Sequence, residues 1–430
     1  MNDYKLRGIS ARGLTGTTLG FFVGFAAVAL YGSTATVFKG VFQDLNPVLL
    51  ALLVAAPNLS GALLRIPFGA WVDTTGGKKP FIVLLILSII GMSGLYILVS
   101  FFRDSLDSYY SLLFIFGILS GCGIATFSVG ANQTSYWFPK NKQGFALGAY
   151  AGLGNLAPGI FSLILPIIAL PLLGLSGSYL AWLIFLVIGT IVYSIVGENA
   201  WYFQLIKKGI PKEKAKEIAN KKYGQELFPN NKASESLGKS AKTWKTWALV
   251  IIYFATFGGF LALTSWLPTY WNSFFGTGTI MAGVLTAMYS LLTSIIRVFG
   301  GKIADKKGGE GVTMISLIIA LIGAVVMTFA ASLGFAIFGV ILLAIGMGIA
   351  NAGIFKIIPN AVPEAIGGAT GWIGGLGAFG GFLIPPVMAS FVTSNGTGYS
   401  TGFLVFIVLI VISIVILSVL NKKNKNVIKA

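Results

Sequence analysis

Long apolar stretches recur along this chain of 430 residues, and they restrict its fold more than any other feature. Each contains about 20 residues, the length that an α-helix needs to cross a hydrocarbon layer roughly 30 Å thick. Because lipid satisfies no backbone hydrogen bonds, such stretches have to be helical. Twelve can be counted, at approximately 14–38, 47–70, 81–102, 109–136, 145–170, 178–196, 246–272, 280–301, 312–332, 333–355, 366–392 and 400–420. The sequence therefore predicts an all-α membrane protein with twelve transmembrane helices.

Composition agrees with this class and excludes others. The chain is 56% hydrophobic and only 10% charged, and its mean hydropathy of +0.86 is too high for the surface of a soluble domain. The net charge of +17 would suggest nucleic-acid binding in a soluble protein. Here most lysines and arginines lie at the termini and in the even-numbered loops, which is a topology signal. We therefore exclude nucleic acid as a partner and predict a multi-pass protein of the cytoplasmic (inner) membrane, with both termini in the cytoplasm.

The chain contains two copies of one pattern, an arginine followed by an aspartate. Arg65 precedes Asp73 by eight positions, and Arg297 precedes Asp305 by the same spacing. Downstream, the glycine-rich stretch AYAGLGNLAPG matches GWIGGLGAFGG. The two matches have offsets of 232 and 223 positions, as expected for a duplicated six-helix unit whose interface holds the binding site. We therefore divide the chain into an N-terminal six-helix half (1–198), a cytoplasmic linker (199–245) and a C-terminal six-helix half (246–430).

Arg65 and Arg297 both interrupt apolar stretches. A charge at the centre of a membrane helix costs about 2.5–3.5 kcal/mol on insertion scales, so two at matching places require a compensating interaction. No carboxylate is placed to provide it: Asp44, Asp104 and Asp107 lie in outer loops, Glu198 lies at a span end, and the other acidic residues lie in the cytoplasmic loops or tail. Arginine stays charged and presents a planar fork of donors that fits oxyanions. The sequence therefore predicts an anion, taken from solution, bound between the two guanidinium groups.

The turns that follow the arginines have a recognisable form. Both GAWVDTTGGKK and GGKIADKKGG place a glycine four residues before an aspartate and follow it with glycines and basic residues. This form resembles the loop between the second and third helices of the major facilitator superfamily, and it recurs here where that superfamily repeats it. We interpret Asp73 and Asp305 as parts of a structural clamp without contact to the substrate.

Small residues form stripes in the fifth and eleventh apolar stretches. They are Gly148, Gly152 and Gly154 in the first, and Gly367, Gly371, Gly374, Gly375, Gly377 and Gly381 in the second. One interpretation is close helix packing of the GxxxG kind. The other is that helices without side chains let the backbone approach a small ligand and slide during a conformational change. Asn155, the strong polar group in the first stripe, is either a bond between helices or a ligand contact.

These residues together carry a specific resemblance. AGLGNLAPG and GGLGAFGGFLIPP resemble the two signature motifs of the NarK-type nitrate/nitrite porter family, and LLRIPFG and IIRVFGGKIADKKGG resemble its arginine-bearing helices. The run WFPKNKQGFALG is also similar, so the resemblance covers nearly the whole chain. One departure is Pro158, which follows Ala157 where the family has a small flexible pair and which affects the expected bend of the fifth helix.

The resemblance implies a carrier that moves nitrate and nitrite across the inner membrane by alternating access. It also implies the residues that contact the anion. By motif these are the arginines Arg65 and Arg297, the signature asparagine Asn155, the aromatic residues Phe127, Tyr253 and Phe257, and the signature glycines Gly152, Gly154, Gly375 and Gly377. Phenylalanine and tyrosine around the anion would form a dry, narrow slot that favours a flat, weakly hydrated ion over sulfate or phosphate.

The sequence gives less information on how transport is coupled to a source of energy. Proton-driven carriers usually place a titratable Asp, Glu or His in a span, and this chain has no histidine and no acidic residue there. We therefore favour obligatory nitrate/nitrite exchange, in which a bound anion relieves the repulsion between two arginines. The alternatives are a proton-coupled nitrate symporter and a carrier for small carboxylates such as oxalate or formate. Lys356, near the end of the tenth stretch, is interpreted as a lysine that reaches the membrane surface.

Other classes find little support in the sequence. Cys122 is the single cysteine and excludes an intrachain disulfide or a cysteine-based metal site. We find no metal-ligand cluster, nucleophile with a base, or nucleotide-binding loop, so neither an enzyme nor a cofactor is predicted. The glycine run GGLGAFGG lies in an apolar stretch without a preceding strand, which argues against a dinucleotide site. We expect a monomer embedded in lipid.

Overall fold

The computed structural model describes residues 5–42, 45–229, 233–393 and 398–429, so the predicted outer-loop residue Asp44 lies outside the described residues. Helical segments follow one another through this part of the chain. Those of the N-terminal half are α1 (Ser10–Val41), α2 (Pro47–Thr75), α3 (Lys78–Phe101), α4 (Arg103–Trp137) and the long segment Phe145–Val196. The linker contains α7 (Trp201–Lys207), α8 (Lys212–Tyr223) and α9 (Ala233–Ala241). The C-terminal half contains α10 (Trp244–Phe275), α11 (Gly278–Lys307), α12 (Gly309–Thr328), α13 (Leu333–Ala361), α14 (Pro363–Ala389) and α15 (Thr401–Lys422).

The segment Phe145–Val196 provides two membrane crossings. Its 52 residues would extend about 78 Å as one straight helix, more than twice the hydrocarbon thickness. The helix is broken at Gly174, where φ is +64° and ψ is −171°, a conformation open essentially only to glycine. Gly174 separates α5 (145–173) from α6 (175–196). The eleven apolar helical segments of the described chain therefore make twelve crossings, and the predicted twelve-helix, all-α fold is confirmed.

The predicted spans and the observed helices differ mainly at their ends. The ninth predicted stretch extends to residue 332, whereas α12 ends at Thr328 and α13 begins at Leu333. Ser332 caps the new helix, because its Oγ accepts a hydrogen bond from the Phe335 amide at 3.4 Å. The apolar character of the sequence continues through this turn, so hydropathy alone does not locate it.

Small residues bring helices of the bundle close together. At Gly323 in α12, an added Cβ would lie 2.8 Å from the backbone nitrogen of Leu343 in α13. At Gly346 in α13, it would lie 2.6 Å from the backbone nitrogen of Ala320. Such spacing requires glycine on both helices and is the packing that lipid-embedded bundles use when hydrophobic burial provides no driving force between helices.

The linker is attached to both halves, at the end of the bundle that we call the linker face. In α7, the Trp201 ring lies 4.8 Å from Trp137 at the end of α4. In α9, the Ser236 hydroxyl accepts a hydrogen bond from the Gly368 amide of α14 at 3.0 Å. The first part of the linker is therefore fixed to the N-terminal half and α9 to the C-terminal half. The other end of the bundle, where α1 ends and α11 begins, is called the opposite face.

Candidate functional site

Arg65 lies directly after an irregularity in α2. Regular α-helix ends at Leu63, Leu64 forms a turn, and helix resumes at Arg65. The side chain has no exposed surface. Its Nε donates to the carbonyl of Gly61 at 3.0 Å, and its Nη1 donates to the carbonyl of Gly374 in α14 at 3.2 Å. The second bond joins the two halves, so Arg65 lies at their interface.

Aromatic rings lie beside the Arg65 guanidinium. Its Cζ is 4.8 Å from the ring centre of Phe127 in α4 and 5.1 Å from that of Phe257 in α10. Tyr253 stacks on Phe257 with ring centres 4.9 Å apart and planes within 6°. Residues 254–258 form a π-helical turn, an irregularity that is frequent at functional sites. The structure therefore brings these three predicted aromatic residues to the buried arginine.

Arg297 approaches the same rings from α11. Its Cζ lies 5.5 Å from the Phe257 ring centre, and its Nη2 donates to the Tyr253 hydroxyl at 3.4 Å. The side chain is only partly buried. Since both guanidinium carbons lie close to Phe257, they are at most about 10.6 Å apart, the sum of the two distances. The two arginines predicted from matching positions thus meet across one phenylalanine.

In the part of the chain that the structure describes, the positive charge of this site has no acidic partner. Within the described residues, no carboxylate lies at ion-pair distance from either guanidinium. Arg65 Nη2 and Arg297 Nη1 are buried nitrogens without a hydrogen-bond partner. A buried charge that lacks its partner is strongly destabilising, so the two free nitrogens are candidate donors to an anion.

Asn155 lies at the break in the fifth helix. Regular helix ends at Gly154 and resumes at Leu156. The Asn155 backbone carbonyl accepts a hydrogen bond at 2.9 Å from the hydroxyl of Ser294, which lies in α11 three residues before Arg297. Asn155 therefore lies beside α11. Its side-chain Oδ1 is buried without a partner. The backbone of Asn155 therefore joins the halves, while its amide oxygen is left available.

The four predicted glycines lie at positions of close packing. At Gly154 an added Cβ would overlap the Phe21 side chain, and at Gly152 it would lie 2.9 Å from the Val298 side chain. At Gly375 it would lie 2.7 Å from Ile66, and at Gly377 it would lie 2.6 Å from Cδ1 of Tyr253. Of the two interpretations of the glycine stripes, these contacts favour helix packing. Gly377 nevertheless affects the site, because its lack of a side chain leaves room for Tyr253.

Two residues beside the arginines were not among the predicted site residues. Gly374 accepts from Arg65 through its backbone carbonyl, and although it is buried, an added Cβ would meet nothing within 4 Å. Phe355 in α13 lies 5.8 Å from Arg297 and contacts Tyr253 edge-on at 5.3 Å. Phe355 follows Phe127 by 228 positions, between the two repeat offsets, and that spacing was an available signal.

The aspartates of the repeated turns lie away from the arginines. Asp73 accepts a hydrogen bond from the Tyr136 hydroxyl at 2.6 Å, which joins α2 to α4. Asp305 forms an ion pair with Lys356 at 2.7 Å, which joins α11 to α13. These contacts agree with the interpretation of a structural clamp. They also give Lys356, whose side chain is exposed, a partner that sequence reasoning did not assign.

The halves meet closely between the arginines and the opposite face. The backbones of α1 and α10 are so close at Gly32 that a Cβ there would overlap the Ser265 carbonyl. Asn58 in α2 donates to the Ser265 hydroxyl at 3.1 Å and to the Gly381 carbonyl at 3.3 Å. Thr36 and Thr279 are hydrogen bonded at 3.3 Å. Polar and backbone contacts thus close the opposite-face side of the bundle.

A twelve-helix bundle with irregular helices around a charged site between its halves is the architecture of a membrane transporter. The sequence matches the family described as "Major Facilitator Superfamily" over residues 18–385. The chain belongs to this superfamily, and both fold and relatives are those of transporters and not of enzymes.

Several relatives match over most of their length. A "Probable nitrate/nitrite antiporter NarK1" of Thermus thermophilus is 28% identical over 414 residues, which cover 91% of this chain and 87% of the relative. A "Probable nitrate transporter NarT" of Staphylococcus aureus (strain JH9) is 30% identical over 396 residues, with coverages of 92% and 91%. A "Nitrite extrusion protein" of Bacillus subtilis is 27% identical over 355 residues, with coverages of 83% and 80%. The resemblance that the motifs indicated is thereby confirmed.

Solved structures agree at the level of the fold. The "xylose transporter XylE from E. coli", in a partially occluded inward-open conformation, superposes with a TM-score of 0.70, covering 95% of this chain and 98% of that one. A D-xylose-proton symporter gives a TM-score of 0.73 with coverages of 96% and 97%. At 16% and 14% identity these similarities describe architecture alone.

Proposed function

We propose that this protein exchanges nitrate for nitrite across the cytoplasmic membrane by alternating access, with the anion held between Arg65 and Arg297. The observation that carries the proposal is the pair of buried guanidinium nitrogens that have no partner at the interface of the two halves. The names of the relatives, a nitrate/nitrite antiporter and a nitrate transporter, support the choice of anions.

The composition of the site supports a small, flat anion. Two guanidinium groups supply planar donors on either side, and the Asn155 amide lies on the adjacent helix. The aromatic rings leave few polar partners, so an ion that keeps a large hydration shell would lose more than it gains. Nitrate and nitrite each carry one charge and are planar, and the rings of Phe127 and Phe257 would lie against such ions.

Alternating access follows from the way the halves are joined. We take residues 1–198 and 246–430 as two units that rock about the site, with 199–245 as the tether. An empty site leaves two positive charges uncompensated, which opposes closure around it. A bound monovalent anion relieves this repulsion and lets the contacts of the opposite-face side, such as that of Asn58 with Gly381, break and re-form. The empty carrier therefore changes slowly between its outward-facing and inward-facing states. Transport of one anion then requires the return of another, which is exchange.

The orientation of the protein is part of the proposal. The linker face carries the start of α1, the end of α15 and most of the basic residues, so by the positive-inside rule we take it as the cytoplasmic face. We assign the protein to the cytoplasmic membrane, with the closed opposite face toward the outside. Each chain contains a complete site between its own halves, which supports a monomer as the transporting unit.

Counterflow tests the proposal. The purified protein is reconstituted into liposomes that contain nitrite, and isotope-labelled nitrate is supplied outside. We expect rapid uptake with internal nitrite and little uptake into vesicles without internal anion, even under an imposed pH gradient. Uptake driven by the pH gradient alone would replace exchange with proton symport. Stronger competition by oxalate or formate than by nitrite would instead identify a carboxylate carrier.

A further inference from the structure

An apolar groove runs along the membrane-facing surface between the start of α10 and the end of α15. Its volume is about 310 Å³, and it lies at the linker-face end of both helices. It is lined by Trp244, Trp247, Ala248 and Ile251 of α10 and by Val415 and Val419 of α15. The lining residues of α10 are spaced three and four apart, so they share one face of the helix.

The wall of this groove is held in place. The indole nitrogen of Trp247 donates to the Ala241 carbonyl at the end of α9, at 2.7 Å. The Trp247 ring packs against Trp372 of α14 with ring centres 5.7 Å apart. Trp372 in turn donates to the Leu237 carbonyl at 3.0 Å. The groove therefore has a defined shape, unlike a surface that is built from mobile side chains.

The position of the groove relative to the bilayer follows from its tryptophans. Trp244 and Trp247 are 41% and 40% exposed and are the most exposed of the nine tryptophans. Exposed tryptophan prefers the boundary between the hydrocarbon and the headgroups. The tryptophan end of the groove thus lies at headgroup level, and its aliphatic end extends into the hydrocarbon.

Positive charge surrounds the headgroup end. Lys422 is exposed and follows Val419 by three positions, which places it on the same stripe of α15. Lys242 and Lys245 lie two residues before and one residue after Trp244 in the sequence. Glu235, the nearest acidic residue before Trp244 in the sequence, forms an ion pair with Lys239 at 2.9 Å, and no acidic residue follows Glu364. The local charge therefore complements a phosphate group carrying a negative charge.

We infer that this groove binds an anionic phospholipid, with an acyl chain between α10 and α15 and the headgroup held by Lys242, Lys245 and Lys422. Apolar lining, interfacial tryptophan and basic residues occur here in the order in which a phospholipid presents its chain, glycerol region and phosphate. Basic pockets between transmembrane helices are known to accept such headgroups. The site is separate from the arginine site and does not depend on the anion that is transported.

Tryptophan quenching by brominated lipid tests the inference. The full-length protein is placed in nanodiscs of phosphatidylcholine that contain equal mole fractions of either brominated phosphatidylglycerol or brominated phosphatidylcholine. We expect stronger quenching by the brominated phosphatidylglycerol, and we expect Trp244→Phe/Trp247→Phe to remove the difference. In the triple variant Lys242→Gln/Lys245→Gln/Lys422→Gln, each lost lysine should weaken the preference by up to about fivefold.

A matched variant controls for diffuse surface charge. Lys207→Gln/Lys214→Gln/Lys222→Gln removes the same charge from exposed positions on α7 and α8, away from the groove, and should keep the preference. Ala248→Phe fills the groove without changing charge and should reduce quenching, which keeps the inference testable if the lysine variant folds poorly. Equal quenching by the two lipids, or equal loss of the preference in both triple variants, would overturn the site.

Discussion

Arg65 and Arg297 occupy matching places in the two halves, but the protein holds them differently. Arg65 has no exposed surface and donates to two backbone carbonyls, one from each half. Arg297 is partly exposed and donates to the hydroxyl of one tyrosine side chain. Backbone carbonyls of packed helices are fixed, whereas a side chain can rotate. We infer that Arg65 anchors the anion and that Arg297 adjusts during the transport cycle.

The comparison of the two arginines predicts that Arg65→Lys causes the largest loss of exchange activity. Lysine keeps the charge but lacks the fork that bonds Gly61 and Gly374 while leaving Nη2 for the anion. We expect nitrate/nitrite exchange in proteoliposomes to fall by about 100-fold, since disrupting a buried charged pair costs several kcal/mol. The amount of protein in the membrane should be unchanged. Arg12→Lys, at an exposed arginine that bonds the Ile195 carbonyl, is the control. Retained exchange would remove Arg65 from the site.

Arg297→Lys should cost less, about tenfold in exchange rate. Its side chain is partly exposed and makes one bond within the protein, so a lysine ammonium can replace part of its interaction with the anion. Initial rates at several nitrate concentrations would measure the loss, which should include a higher KM. A larger defect here than in Arg65→Lys would reverse the assigned roles.

Gly377→Ala tests whether the support of Arg297 matters. A methyl group would lie 2.6 Å from Tyr253 Cδ1, and overpacking of this kind costs roughly 1–3 kcal/mol. We expect exchange to fall about fivefold as Tyr253 is displaced from Arg297. Gly367→Ala in the same helix meets open space and serves as the matched control. Equal rates in the two variants would show that the fixed position of Tyr253 is unimportant.

Tyr253→Phe should have the smallest effect, about threefold, because it removes one hydrogen bond and keeps the ring stacked on Phe257. Double-mutant cycles can show with which arginine Tyr253 interacts. We expect its effect to be lost in an Arg297→Lys background and kept in an Arg65→Lys background, as measured by exchange rates. The opposite pattern would place the tyrosine with Arg65.

Sequence reasoning located the arginines because a charge is conspicuous in an apolar stretch. It located the aromatic residues Phe127, Tyr253 and Phe257 only through the resemblance to a family. The hydrogen bond from Arg65 to Gly374 could not be predicted from the sequence, because every residue has a backbone carbonyl. The clamp was predicted, but not that Tyr136 and Lys356, two different side chains, complete it in the two halves.

The number of crossings, the duplication and the surplus of buried positive charge were determined by the sequence alone. They depend on hydropathy, spacing and composition, which need no knowledge of neighbours. The tertiary structure decided which arginine is enclosed, which ring lies between the two, and which guanidinium nitrogens are left without partners. These properties depend on atoms that are hundreds of positions apart in the chain, and only the packing of the two halves brings such atoms together.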